Sequence, residues 1–199
     1  MSSSSHPRVT ERLVIHTGRK FDFEQVNIAP PSESPVWREV VRHPGAVCIL
    51  PVRSAGSGPQ PEIVLIRNHR FAIEGNSGAV LWEIPAGTRE PGEASEKTAA
   101  RELIEETGYE AGRLQHLASF YTTPGMTDER MEAFLAEDLT HVGQRLEEDE
   151  HIAVHTVPLD RVFQMIDAGE ITDGKTILTI LLAARRGLLG DQAASRGTH

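Results

Sequence analysis

Hydrophobic and polar residues alternate with period two over two stretches near the start of the chain, VTERLVIHT (Val9 to Thr17) and KFDFEQVNI (Lys20 to Ile28). Side chains two apart share one face of a strand, so both stretches predict strands, joined by a turn at Gly18. Pro30, Pro31 and Pro35 then break the pattern and mark a connector. Ala46 to Val52 (AVCILPV) predicts a buried strand and Glu62 to Arg67 (EIVLIR) its hairpin partner, across a Gly/Ser/Pro-rich loop at 54–61. Val80 to Ile84 predicts a short strand ended by Pro85, Ala86 and Gly87.

The period then changes. Between Ser95 and Thr107, Ala99, Leu103 and Thr107 fall four apart with Ala100 and Ile104 alongside, and charges fill the other face. That is the signature of an amphipathic helix, and Gly108 stands where a left-handed residue closes one. Strands are expected again over Leu114 to Tyr121, Met131 to Glu137 and Ile152 to Val157, the first two separated by TTPGMTDER. Helices over Leu159 to Ala168 and Lys175 to Arg186 end the pattern. Strands around a central helix, with further helices behind them, indicate an α/β or α+β sandwich. The expected organisation is a disordered start at 1–8, N-terminal strands and connector at 9–36, a main domain at 37–187 and a loose tail at 188–199.

Composition narrows the chemistry. A chain of 199 residues suits a single domain that buries its own core. The formal net charge of −9 repels nucleic-acid backbones, so no nucleic-acid partner is expected. Small phosphorylated ligands stay open, because metal ions bridge carboxylates to phosphates. The single cysteine, Cys48, excludes an internal disulfide and a Cys-rich zinc site; inside AVCILPV it reads as a small core residue. No apolar run approaches a membrane span and no leader opens the chain, so a cytoplasmic protein without a membrane partner is expected.

Gly87 to Tyr109, GTREPGEASEKTAARELIEETGY, carries the strongest chemical signal. Glu102, Glu105 and Glu106 lie at i, i+3 and i+4 and share one helical face. Like charges stacked that way repel, and folding does not ask for them. Oxygen donors so grouped suit hard cations such as Mg²⁺ or Mn²⁺. Arg101 can hold one carboxylate by a two-pronged pair, and Glu93 can reach back into the cluster. A solvated acidic face is the plain alternative. The segment nevertheless fits G-x5-E-x7-R-E-U-x-E-E-x-G-U, where U is bulky and apolar. Its seven fixed residues, at roughly one chance in fifteen each, coincide by accident about once in 10⁸ windows.

That pattern is the Nudix box, and the chain resembles a Nudix hydrolase, with Tyr109 standing where the family prefers an aliphatic residue. The resemblance implies a Nudix fold, a mixed β-sheet sandwiched between helices, here with a small N-terminal β-strand subdomain. It implies hydrolysis of a nucleoside diphosphate linked to another moiety. By position, Glu102, Glu105 and Glu106 would be metal ligands for Mg²⁺, with Mn²⁺ able to substitute, and the carbonyl of Ala86 would complete the site.

The segments RHPGAVCILPV, LWEIPAG and FYTTPGMTDERMEAFLA resemble the ADP-ribose pyrophosphatase branch, whose usual mark is a proline after the box. Pro124 stands fifteen residues beyond Tyr109. The resemblance spans roughly 37–187 and implies cleavage of ADP-ribose to AMP and ribose 5-phosphate. It implies substrate contacts at Arg70, Glu83, Glu129 and Gly125. Arg70 also reads as an edge-strand surface charge, and TDER as a turn leading into a strand. In the branch a mobile acidic loop supplies the general base, which points first to Glu148 and second to Glu150. In some members a box glutamate serves instead, which keeps Glu105 among the catalytic candidates, with Arg101 beside it. The branch is commonly a homodimer whose N-terminal strands cross over and help build the partner's site, and 9–36 fits that exchange. Cleavage of another nucleotide derivative, such as a nucleotide sugar, is the nearest rival, and sensing of ADP-ribose without hydrolysis a more distant one.

Two further patterns lead elsewhere. Gly169 to Thr176 (GEITDGKT) fits the P-loop expression, but helical spacing in LDRVFQMIDA precedes it where a P-loop needs a buried strand. The segment reads as a helix–turn–helix junction with Asp173 as N-cap. His151 and His155 are four apart on an expected strand, which spreads them, so no zinc site is expected.

Overall fold

All three helices expected from the hydrophobic pattern form in the computed structural model of the chain. It describes residues 6, 8–29, 34, 36–54, 60–73, 80–146 and 150–190. The three prolines of the connector, most of the 54–61 loop, and nearly all of the expected disordered start lie outside the described residues. Packing divides the chain into two units, Met1–Gly45 with Phe120–Arg130, and Ala46–Ser119 with Met131–His199.

The second unit carries the main sheet. Its strands are β4 (Ala46–Arg53), β5 (Glu62–His69), β6 (Val80–Glu83), β7 (Ala86–Thr88), β8 (Tyr109–Tyr121), β9 (Arg130–His141) and β10 (Ile152–Pro158), β8 and β9 running on at one end into the first unit. They run in the order β10-β5-β4-β9-β8, with β6 beside β5 and β7 beside β4. The sheet is mixed: β4 and β9 are parallel from Ala46↔Met131 to Pro51↔Ala136, while β4 and β5 form the expected antiparallel pair.

β4 reads as an unbroken apolar run because helices cover both of its faces. On one face, Val47 and Ile49 join Phe134 and Ala136 of β9 against Ala99 and Leu103 of α1 (Ser95–Thr107). On the other, Cys48 Sγ lies 3.5 Å from Thr179 Oγ1 of α3 (Gly174–Arg185). Burial pushes the Cys48 thiol up to about 11, so it is an inert core group. α2 (Leu159–Asp167) packs on β10 and β5. The expected sandwich is the observed one.

α1 ends as its sequence dictates. Gly108 has φ 73° and its N–H bonds Ile104 O at 2.8 Å. A Cβ there would also stand 2.6 Å from Gln144 N, so glycine is required twice over.

The first unit contains β1 (Arg8–Thr17), β2 (Asp22–Ala29) and β3 (Val36–Arg42), an antiparallel sheet in that order. The turn at Gly18 forms, its N–H bonded to Phe21 O at 3.0 Å.

Several boundaries differ from expectation, and β8 begins at Tyr109 and β9 runs on to His141, each longer than the pattern predicts. β3 pairs with β2 from Asp22↔Arg42 to Ile28↔Val36, so the first unit runs on to Gly45 instead of ending at 36. Alternate positions in VWREVVR mix charge and apolar bulk on both faces, which hides the strand from a period-two reading. The short strand ends before Pro85 as expected, β6 closing at Glu83, but the chain does not leave the sheet there. Ala86–Thr88 continue it as β7, because Pro85 O accepts from Ile49 N–H at 2.9 Å and hands the chain from β5 to β4. Leu189, placed in the loose tail, is buried; 191–199 lie outside the described residues.

Candidate active site

α1 turns Glu102 and Glu106 into the protein and leaves Glu105 half-buried. Glu106 Oε2 accepts the Ala86 N–H at 2.8 Å. Glu102 lies against Gly87, where a Cβ would fall 1.9 Å from its Cδ and 2.0 Å from its Oε1. Gly87 therefore forms the seat of the Glu102 carboxyl group. Arg101 spans the outer rim: Nη1 reaches Glu105 at 2.7 Å and Glu102 at 2.9 Å, while Nε and Nη2 reach Glu93 at 3.5 and 3.3 Å. The two-pronged contact is with Glu93, while the helix carboxylates Glu102 and Glu105, among which the pair is expected, are each reached through Nη1 alone. The Arg101 bonds hold Glu93 below its ordinary pKa, and Thr98 Oγ1 donates to it at 2.9 Å.

Burial pushes Glu102 up to about 7, against the opposing charge of Arg101. Burial likewise pushes Glu106 up to about 8, despite the Ala86 N–H, and the charges of Glu102 and Glu150 add to it. Among the described residues no three His, Cys, Asp or Glu side chains already close into a metal cage. Arg101 and Ala86 hold the carboxylates instead. The donor set still fits a hard divalent cation: oxygen ligands, one seated where a Cβ would be, whose burial favours the proton until a counter-ion takes its place.

Two expected substrate contacts bind each other. Arg70 Nε donates to Glu83 Oε1 at 2.7 Å and Nη2 to Oε2 at 2.5 Å. Glu83 is fully buried, and Lys175 Nζ bonds it from α3. Burial favours the protonated acid, yet the Arg70 bonds and the Lys175 charge outweigh it and keep Glu83 below its ordinary pKa. Arg70 itself stays 41% exposed, near enough to feel the Glu106 charge.

Glu148 lies outside the described residues. Glu150 is described, and its charge acts on both Glu102 and Glu106. The chain is led there by the end of α1: Val142 N–H bonds Gly108 O, Arg145 N–H bonds Glu105 O, and Gln144 Nε2 bonds Glu106 O at 2.7 Å.

Glu129 and Gly125 belong to the first unit. Glu129 accepts from Thr122 Oγ1 at 2.6 Å and lies 3.6 Å from His43 Nε2. Gly125 sits in the expected turn, where a Cβ would meet open space. In the same unit Arg42 bridges Glu24 and Asp128, each at 2.8 Å.

The P-loop lookalike is a helix–turn–helix junction. Asp173 caps α3, accepting from Thr176 N at 3.0 Å. Sequence reasoning missed what Lys175 and Thr176 touch: Glu83 and the Ile84 N–H respectively. The only local signal was the discarded GKT.

The chain is 38% identical over 168 residues to an ADP-ribose pyrophosphatase of Bacillus subtilis, covering 83% of this chain and 86% of that protein. It is 34% identical, with the same coverage, to a methanol dehydrogenase activator of Bacillus methanolicus. A solved structure of an ADP compounds hydrolase superposes with a TM-score of 0.77 at 20% identity, over 94% of this chain and 97% of that one. No helix among the described residues is long and apolar enough to cross a membrane. The NUDIX domain model matches residues 41–179, and with the box residues gathered around Glu102 and Glu106 the chain belongs to the Nudix family.

Proposed function

We propose that the protein is a metal-dependent pyrophosphohydrolase that adds water across the diphosphate of ADP-ribose, releasing AMP and ribose 5-phosphate. The observation that carries this reading is the buried pair Glu102 and Glu106, seated on Gly87 and Ala86 with Arg101 at the rim. The choice of ADP-ribose is supported by the similarity to the Bacillus subtilis enzyme.

Glu102 and Glu106 would hold the cation, with Glu105 and the Ala86 carbonyl beside them. Mg²⁺ fits this set and Mn²⁺ could replace it. A bound divalent cation neutralises diphosphate charge and lowers the pKa of water. Arg101 ties Glu93, Glu102 and Glu105 together at the rim. Arg70 stands next to the carboxylates with part of its guanidinium exposed, suited to a phosphate oxygen. Glu150 or Glu148 would take the proton of the attacking water, with Glu105 as the alternative base. Glu129 and Gly125 are proposed substrate contacts on the loop of the first unit.

We also propose a homodimer. β1 carries Val9, Leu13, Val14 and Ile15, each about half exposed, and a second copy would cover them. A small nucleotide is the proposed substrate, and cytoplasmic location is part of the same reading.

The test is a panel of ADP-ribose, nucleotide sugars, dinucleoside polyphosphates and NADH with Mg²⁺, resolved by ion-exchange chromatography. AMP and ribose 5-phosphate released from ADP-ribose well above the other substrates supports the proposal. Faster cleavage of another member overturns the choice of substrate.

A further inference from the structure

Four consecutive residues lead into the carboxylate site, and each is held by a different partner. The Glu83 carboxylate is bonded by Arg70 and Lys175. Ile84 N–H donates to Thr176 Oγ1 at 2.9 Å. Pro85 O accepts from Ile49 N–H at 2.9 Å. Ala86 N–H donates to Glu106 at 2.8 Å. Two of these anchors, Lys175 and Thr176, come from the first turn of α3.

The arrangement is more than a helix cap. Thr176 Oγ1 donates to Asp173 Oδ2 at 2.6 Å, which turns an oxygen lone pair toward the Ile84 N–H. Lys175 Nζ lies 2.9 Å from the same Asp173 oxygen. Asp173 thus orients both side chains that leave α3 for the 83–84 segment. Glu83, Ile84 and Thr176 are fully buried, so water is not at hand to replace a lost bond. Two residues beyond Ile84 stands the N–H that fixes Glu106, and one further stands the glycine that seats Glu102.

We infer that Thr176 and Lys175 are positioning residues of the catalytic site, acting through Glu83–Ala86; this rests on the metal-dependent reading above. Thr176 sets the backbone that holds Glu106 and carries the Ala86 carbonyl, so it acts on cation affinity. Lys175 shares the charge of Glu83 with Arg70. Without it Arg70, already bonded to Glu83 through both prongs, alone must neutralise a fully buried carboxylate and has less charge left for a phosphate oxygen, so Lys175 acts on substrate affinity.

The test reads Mn²⁺ binding by electron paramagnetic resonance without nucleotide, then kcat and KM for ADP-ribose, with thermal melts as a check on folding. Thr176→Val is expected to weaken Mn²⁺ binding about 10- to 100-fold, the usual range for residues behind a metal ligand, with Thr176→Ser near wild type. Thr176→Cys, a weak acceptor of similar size, carries the same test at a smaller effect should the valine variant not fold. Lys175→Met is expected to raise KM about tenfold with kcat and Mn²⁺ binding nearly unchanged, and Lys175→Arg to restore it. Wild-type Mn²⁺ affinity in a folded Thr176→Val or Thr176→Cys protein overturns the inference for Thr176. A Lys175→Met loss confined to stability overturns it for Lys175. A wild type that binds Mn²⁺ but ignores ADP-ribose fails the substrate reading alone, and the Thr176 result then decides the inference. A wild type that binds no Mn²⁺ overturns both.

Discussion

Gly87 lies so close beneath Glu102 that a methyl group on it would occupy the space of the Glu102 carboxyl carbon, 1.9 Å away. The conflict is with the end of a flexible side chain, not with backbone. Gly87→Ala should therefore fold, with a melting temperature within a few degrees of wild type, and displace Glu102 from its seat. Metal affinity should fall about 10- to 100-fold. Mn²⁺ titration beside a thermal melt checks this; a folded Gly87→Ala protein with wild-type affinity would show that Glu102 need not sit there.

Burial raises Glu102 to about 7 and Glu106 to about 8, from an ordinary 4.5. Between pH 4.5 and 8 the folded, metal-free protein keeps protons that the unfolded chain has released. Its stability should then fall as pH rises through that window. A cation must displace those protons, so its affinity should climb with pH, by about tenfold or more between pH 6 and 8, and level off above. Melts in chelator at pH 5, 7 and 9 and Mn²⁺ titrations at pH 6, 8 and 9 measure both slopes. Flat affinity across the range would remove these carboxylates from the metal site.

The general base separates by substitution. Glu150 acts electrostatically on both buried carboxylates, so Glu150→Gln should lower kcat about 10²- to 10⁴-fold with Mn²⁺ binding retained. The same loss in Glu148→Gln, with Glu150→Gln near wild type, would move the role to Glu148.

Much of this site is legible in the sequence, for local reasons. α1 declares itself through a four-residue apolar spacing and a glycine at its end, and its carboxylates through their shared face. β3 and β7 were hidden, the first by mixed polarity on both faces, the second by being three residues long behind a proline. Arg70 and Glu83 were each singled out, but their mutual pairing depends on strand register, Ile66↔Glu83, which spacing alone does not give. Thr176 and Lys175 reach partners ninety-two residues away. Contacts of that kind arise from α3 packing on the sheet and leave no local pattern.

Leu13, about half exposed in the middle of β1, tests the proposed dimer. Leu13→Asp places a charge on a surface meant to be covered, so sedimentation at micromolar concentration should show a dimer for wild type and a monomer for the variant. A monomeric wild type would contradict the dimer.

The most direct measurement compares wild type and Glu106→Gln for AMP release from ADP-ribose at saturating Mg²⁺. Glutamine keeps an acceptor for the Ala86 N–H and removes only the charge. The expected result is rapid release of AMP with ribose 5-phosphate by wild type and a loss of about 10³-fold in a folded variant. Equal turnover by both proteins, or binding of ADP-ribose by wild type with no cleavage in either Mg²⁺ or Mn²⁺, would contradict the proposed chemistry.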